Sequence, residues 1–87
     1  MSLHHRITVR YFASIREAIG QGSEPVHTSA ATLGALRDEL MARGGTYASS
    51  LARGQSVRMA LNQVLSDEAA ALADGAEVAF FPPVTGG

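Results

Sequence analysis

Residues 32–43 read Thr-Leu-Gly-Ala-Leu-Arg-Asp-Glu-Leu-Met-Ala-Arg, the most regular pattern of apolar and polar residues in the chain. Thr32 is a preferred N-cap residue, so a helix is expected to begin directly after it. Three leucines then recur at helical spacing and share one apolar face, namely Leu33, Leu36 and Leu40. The stretch therefore predicts an amphipathic helix over residues 33–43 that packs its leucine face against a sheet.

The residues between and after the leucines are also consistent with this helix. Arg37, Asp38 and Glu39 are expected to lie off the leucine stripe. Gly44-Gly45 follows the helix, and glycine is the preferred residue just past a helix C-terminus. This internal diglycine therefore needs no role beyond ending the helix.

Segments with period-two alternation lie on both sides of the helix and predict strands. The main ones are residues 5–12, 57–61 and 76–81, with shorter strands at 24–28 and 64–65. Asn62-Gln63 is predicted to be the tight turn between two of them. The order of elements predicts an α+β domain in which a mixed sheet packs on one main helix.

Two connecting segments are less regular. Ser14-Ile15-Arg16-Glu17 matches a capping box, with Ser14 as the N-cap of a one- to two-turn helix that Gly20 ends. Residues 46–56 are polar and are expected to be irregular.

Composition excludes several functional classes. The chain has 87 residues, enough for one small domain, and a net charge of −1, which gives no electrostatic reason to bind nucleic acid or an anionic membrane. No apolar run approaches the ~20 residues of a membrane span, and no signal peptide is recognised, so a cytoplasmic protein is expected. The chain contains no cysteine, and His4-His5 has no further ligand nearby, so no metal or bound cofactor is expected.

Strand parity identifies two phenylalanines that point away from the core. Phe80 and Phe81 are adjacent on a predicted strand, so their side chains lie on opposite faces. Val78 and Phe80 fill the core in this assignment, which leaves Phe81 outside. Phe12 is likewise out of phase with the core residues of the first strand. Two exposed phenylalanines on one sheet face predict a surface for binding a partner.

The chain ends with a distinctive sequence, Pro82-Pro83-Val84-Thr85-Gly86-Gly87. Prolines favour an extended backbone, and glycines have no Cβ, so the last residues fit a narrow channel. We therefore divide the chain into a domain, residues 1–81, and an extended tail, residues 82–87, which spans at most about 20 Å. The reactive group that such a tail delivers is the carboxylate of Gly87. The alternative is a frayed end without a role, which is common at chain termini.

These residues resemble a known family. The run from Asp74 to Gly87 is similar to the C-terminus of the molybdopterin synthase small subunit, the MoaD family. The opening residues Val9–Gly20 and the central Leu61-Asn62-Gln63 resemble it as well. The resemblance covers the whole chain at compatible spacing, except that residues 46–56 and 66–72 carry nothing distinctive.

The resemblance implies a ubiquitin-like β-grasp fold and a role as a sulfur carrier. An E1-like enzyme would use ATP to adenylate the Gly87 carboxylate, and a sulfur donor would convert it to a thiocarboxylate. The tail would then enter the large subunit of molybdopterin synthase and pass sulfur to cyclic pyranopterin monophosphate. The implied hydrophobic contacts with both partners are Phe12, Leu65 and Phe81. The chain would be a cosubstrate subunit without catalysis of its own.

Three other functions remain open on the sequence. The chain could carry sulfur for another pathway, such as the thiamine-type carrier ThiS, although that family lacks the Phe-Phe-Pro-Pro run. It could be a protein modifier, with Gly87 joined to a target lysine. It could also be an interaction domain whose tail is inert.

Overall fold

A computed structural model describes residues 4–83 of the chain. Strands and short helices follow one another along it as β1 (His5–Tyr11), α1 (Ala13–Ile19), β2 (Ser23–Thr28), α2 (Leu33–Met41), α3 (Gly45–Ser50), β3 (Arg58–Leu61), β4 (Val64–Ser66) and β5 (Glu77–Phe81).

The strands form one mixed five-stranded sheet in the order β2-β1-β5-β3-β4. The central pair, β1 and β5, is parallel, and the other three pairings are antiparallel. The first and last strands of the chain thus lie side by side in the middle of the sheet. This places the end of β5, from which the tail leaves, beside the end of β1.

Helix α2 packs on one face of this sheet through the predicted leucines. Leu33 and Leu36 are completely buried and Leu40 is 1% exposed. They join the inward side chains of β1 and β5 in one apolar cluster, including Val9, Val78 and Phe80. Thr32 is the N-cap as predicted, because its side chain accepts a hydrogen bond from the Ala35 N–H at 3.2 Å.

The hairpin between β3 and β4 has the predicted two-residue turn. Leu61 pairs with Val64, which leaves Asn62 and Gln63 as the turn. Both have positive φ, +50° and +69°, as the primed turns of two-residue hairpins require.

The predicted capping box at Ser14 is wrong. Helix α1 begins at Ala13, two residues earlier than predicted, and its N-cap is Phe12, which makes no side-chain cap bond. The Phe12 carbonyl instead accepts from the N–H groups of Ile15 and Arg16 at 3.1 and 3.3 Å. The chain turns from β1 into α1 through Ala13, whose φ is +51°, so the helix starts too early for Ser14 to cap it. The predicted end at Gly20, with φ of +91°, is confirmed.

Two features of the α2 region also differ from the predictions. Arg37 lies on the buried side of α2, because it follows Leu33 by four residues and so shares the leucine face. Its guanidinium donates to the carbonyls of Leu51 and Ala52 at 2.6 and 2.9 Å. Part of the segment expected to be irregular forms α3, and Leu51 directly after it is completely buried.

Within residues 4–83, no helix has both the length and the apolar character needed to cross a membrane.

Candidate functional site

The predicted partner-binding residues lie on the sheet face opposite α2, here called the outer face. Residues paired directly across strands point to the same face. Ala79 of β5 pairs with Arg10 on one side and Ala60 on the other, and Ala60 in turn pairs with Leu65. Phe81 lies two residues after Ala79 and therefore points to the same face.

The inward and outward assignment of the phenylalanines agrees with strand parity. Phe80 is completely buried in the core, whereas Phe81 is half-buried on the outer face. Phe12 is 37% exposed, and its N–H donates to the Phe80 carbonyl at 3.1 Å. This bond holds the backbone of Phe12 beside the end of β5.

Phe12 and Phe81 line a common open depression of about 530 Å³, here called the aromatic depression. It extends along β5 from the β3–β4 turn to the root of the tail. Its lining consists of Arg10, Phe12, Ala13, Gln63, Glu77, Ala79, Phe81, Pro82 and Pro83. The structure thus brings together two of the three contact residues implied by the resemblance, and it adds the two prolines.

Leu65 is not part of the aromatic depression. It lies on β4, two strands away from β5, or roughly 10 Å at the usual strand spacing. It is 62% exposed, and its neighbour Val64 is 65% exposed. Leu65 therefore extends the apolar surface of the outer face towards the sheet edge as a separate contact point. The exposure of Val64 has no counterpart among the sequence predictions.

Charged groups border the aromatic residues. The Arg10 guanidinium carbon lies 5.2 Å from the centre of the Phe12 ring, within the range of a cation–π contact. Its Nη1 is 3.8 Å from a Glu77 carboxylate oxygen. Arg58 pairs directly with Phe81 across β3 and β5. The surface therefore has an apolar centre with an ionic border, which is the usual composition of a protein interface.

The tail begins at the edge of this surface. Pro82 and Pro83 are half-buried, and Pro82 also lines a second depression of about 330 Å³ with polar residues such as Ser14 and Gln55. The remaining predicted site residues, Val84, Thr85, Gly86 and Gly87, lie outside the described residues, so their predicted roles stay predictions.

A hydrogen-bonded network behind the sheet supports the site from the core side. Tyr11 stacks on Phe80 at a ring-centre distance of 6.2 Å, and its hydroxyl donates to Glu24 at 2.8 Å. Burial, reinforced by the bond to Glu24, raises the pKa of Tyr11 well above its ordinary value, so Tyr11 remains a donor. This contact packs Phe80 in the core, and the alternation of side chains along β5 then directs Phe81 to the outer face.

Three polar residues line the aromatic depression, namely Arg10, Gln63 and Glu77. In the part of the chain that the structure describes, no group of three or more His, Cys, Asp or Glu residues is placed to hold a metal ion. The expectation that the chain binds no cofactor stays a prediction. What the arrangement supports is recognition by another protein at the root of the tail.

Comparison with known proteins identifies the family. The model of the ThiS family matches residues 9–87. The molybdopterin synthase sulfur carrier subunit of Escherichia coli is 42% identical over 81 residues, which cover 93% of this chain and 99% of that protein. The subunit of the same name from Haemophilus influenzae is 40% identical over the same shares of both chains.

Solved structures agree with this relationship. A complex of subunits 1 and 2 of the molybdopterin-converting factor from Helicobacter pylori contains a chain that is 31% identical, with a TM-score of 0.62 and coverage of 94% of this chain and 99% of that one. SAMP1 from Haloferax volcanii gives a TM-score of 0.73 at 25% identity, covering 94% of this chain and 99% of that one.

A ubiquitin from Caldiarchaeum subterraneum gives a TM-score of 0.57 at 16% identity, covering 98% of this chain and all of that one. At this identity the likeness concerns the fold alone, and it confirms the predicted ubiquitin-like β-grasp fold. Together with the near-complete matches above, these results show that the chain belongs to the ThiS family and to the molybdopterin synthase sulfur carrier subunits.

Proposed function

We propose that this chain is the sulfur-carrying small subunit of molybdopterin synthase in the cytoplasm. The observation that carries the proposal is its 40–42% identity to two sulfur carrier subunits of that synthase over 99% of their length. The ThiS family model alone leaves the thiamine-type pathway open, whereas these curated relatives share the molybdopterin name.

The chemistry in this proposal takes place at the carboxylate of Gly87. A carboxylate is a poor electrophile, and joining it to AMP supplies a good leaving group. A separate E1-like enzyme performs this step with ATP, and a sulfur donor then displaces AMP to give the thiocarboxylate. The thiocarboxylate sulfur passes to cyclic pyranopterin monophosphate. Cysteine is not needed at any step on this chain, which contains none.

The partner in the transfer step is the large subunit of molybdopterin synthase. The Helicobacter pylori complex, in which a related chain is assembled with subunit 2, supports this choice. In the proposal, the large subunit docks on Phe12 and Phe81 and receives the tail through Pro82 and Pro83. The position of the aromatic depression beside the tail root supports this mode, because one partner can cover both at once.

A single-turnover assay tests the proposal. Purified thiocarboxylated chain is mixed with the large subunit and the pterin precursor, and molybdopterin formation is followed. The expected result is product from the parent chain and none from a variant with one residue added after Gly87. The added residue moves the carboxylate by about 3.5 Å, and errors smaller than this are known to reduce rates strongly.

The mass of each chain is measured first, because the extended variant is expected to fail already at thiocarboxylation, and only a fully thiocarboxylated chain reports on the transfer step. Parent chain that is fully thiocarboxylated and binds the large subunit, yet gives no product, would contradict the proposal.

A second candidate function is that of a protein modifier. The likeness to SAMP1, a small archaeal modifier protein, at a TM-score of 0.73 favours it. In that case Gly87 would end in an isopeptide bond to a target lysine. Proteomics of cells expressing the chain would distinguish the two, because a modifier leaves its C-terminal peptide attached to target lysines and a sulfur carrier does not. The last tryptic site of the chain follows Arg58, so the expected remnant on a target lysine is the peptide Met59–Gly87.

A further inference from the structure

The β3–β4 turn contains a residue that the fold alone does not explain. Both turn residues are in the left-handed region, with φ of +50° at Asn62 and +69° at Gln63. Two-residue turns of this kind favour Asn-Gly, because glycine has no Cβ to clash there. Gln63 occupies the position where glycine is preferred.

Asn62 has a structural reason to be in the turn. Its side-chain oxygen accepts from the Glu77 N–H at 3.0 Å, and its own N–H donates to the Glu77 carbonyl at 2.8 Å. These two bonds fasten the hairpin to β5. Asparagine also tolerates the left-handed region better than most residues.

Gln63 has no comparable role inside the molecule. Its side chain is exposed and makes no hydrogen bond, ion pair or ring contact with any residue from 4 to 83. It does, however, line the aromatic depression, at the end opposite Pro82 and Pro83. Strained backbone in proteins is concentrated at functional sites, so the left-handed Gln63 beside the aromatic depression suggests a role in binding.

We infer that Gln63 is a recognition residue for the large subunit, an inference that rests on the proposed function. A carboxamide has one acceptor oxygen and donor hydrogens, so it pairs with the N–H and carbonyl of a main-chain segment. The partner segment would lie along β5, place an apolar side chain against Phe12 and Phe81, and offer its backbone to Gln63. In this account the turn retains a strained glutamine for binding.

For Gln63→Gly, we expect the stability of the chain and its affinity for the large subunit to change in opposite directions. Gln63→Gly removes the amide and also relieves the strained backbone. We expect its Tm to rise by about 4 °C, and its affinity for the large subunit to fall about tenfold. A residue with only a structural role would not separate the two measurements in this way.

A second variant separates the amide from the backbone. Gln63→Ala removes the amide but keeps a Cβ at positive φ, so the affinity should fall as for glycine without the rise in Tm. Glu17→Ala is the control, because Glu17 is exposed, lines neither the aromatic depression nor the second depression, and makes no side-chain hydrogen bond with the described residues. Both its Tm and its affinity should equal those of the parent.

The measurement is isothermal titration of each purified full-length chain with the molybdopterin synthase large subunit from the same organism, alongside thermal unfolding. If both Gln63 variants bind within twofold of the parent, or if Gln63→Gly is less stable than the parent, the inference is overturned. If the parent chain itself does not bind the large subunit, both the proposed function and this inference are wrong. If only the Gln63 variants give a result other than the expected one, the inference alone is wrong.

Discussion

Glu24 connects several parts of the structure through one carboxylate. Arg43 donates to both of its oxygens at 2.8 and 3.0 Å, and the hydroxyls of Tyr11 and Tyr47 each donate at 2.8 Å. Burial opposes ionisation of Glu24, but these three donors outweigh it and lower its pKa below the ordinary value of 4.5. The charged form is therefore the one that the fold stabilises.

The first prediction concerns the pH dependence of this network. Because the pKa of Glu24 is lower in the folded state, its stabilisation is complete above pH 4.5 and is lost as the pH falls further. Glu24→Gln should lower the free energy of unfolding at pH 7 by about 1–3 kcal/mol, the usual value for hydrogen bonds to a charged group. The difference from the parent should shrink towards about pH 3.

Urea unfolding of both chains at several pH values measures this difference. Comparison with the parent is necessary because the pKa of Glu68 is also lowered, mainly by its hydrogen bonds with Arg53. A difference that stays constant from pH 7 to pH 3 would show that the Glu24 charge has no such role.

Among the elements, α2 depends on a close approach at its first turn. The N–H groups of Leu33 and Gly34 donate to the carbonyls of Ala70 and Glu68 at 3.1 and 2.9 Å. These bonds satisfy donors that have no partner within a helix. The segment after β4 can approach so closely because Gly34 has no side chain.

The second prediction is that Gly34→Ala destabilises the domain. Alanine in a helix is normally favoured over glycine by up to about 1 kcal/mol. Here a Cβ would lie 2.9 Å from a Glu68 carboxylate oxygen, 3.0 Å from its Cβ and 3.2 Å from its carbonyl oxygen. Overpacking of this kind usually costs about 1–3 kcal/mol, so the clash should outweigh the propensity.

Gly54→Ala is the matched control, because nothing lies within 4 Å of an added Cβ there and its φ is not positive. Its stability should stay within about 0.5 kcal/mol of the parent in urea unfolding. If Gly34→Ala is as stable as the parent or more stable, the prediction is wrong, and the segment around Glu68 moves away from the added methyl group without an energetic cost.

The elements show what sequence patterns can and cannot predict. The helical spacing of the leucines predicted α2, and the alternation of apolar and polar residues predicted β1 and β5. Both patterns arise because one face of each element is buried. Helix α3 was missed because six residues rich in small and polar side chains show no periodicity. The position of Arg37 was misjudged because a charged residue was assumed to face solvent, whereas carbonyls after α3 accept its hydrogen bonds.

For the molecule as a whole, the sheet order determines the candidate site. Pairing of β1 with β5 brings Phe12 beside Phe81 although they are far apart in sequence. Parity predicted that both point outward, but the lining of the aromatic depression depends on which strands are neighbours. Gln63 was predicted as a turn residue, but its place at the end of the depression was missed, because it depends on which strands are neighbours.

The third prediction separates the partner surface from the core. Phe81→Asp should leave the domain folded and weaken binding to the large subunit by more than about 2 kcal/mol, as expected for an aromatic anchor. Phe80→Asp is the neighbouring control and should unfold the domain, because it places a charge in a completely buried position. Circular dichroism and isothermal titration measure the two effects. Unfolding of Phe81→Asp itself would show that the outward assignment is mistaken.

In the proposed function, the carboxylate of Gly87 carries the sulfur. The intact mass of the chain, purified after co-expression with its E1-like enzyme and sulfur donor, tests this role. We predict a rise equal to the replacement of one oxygen by one sulfur, located in the C-terminal peptide and absent when one residue is added after Gly87. An unchanged mass, or an equal rise in the extended variant, would contradict the account.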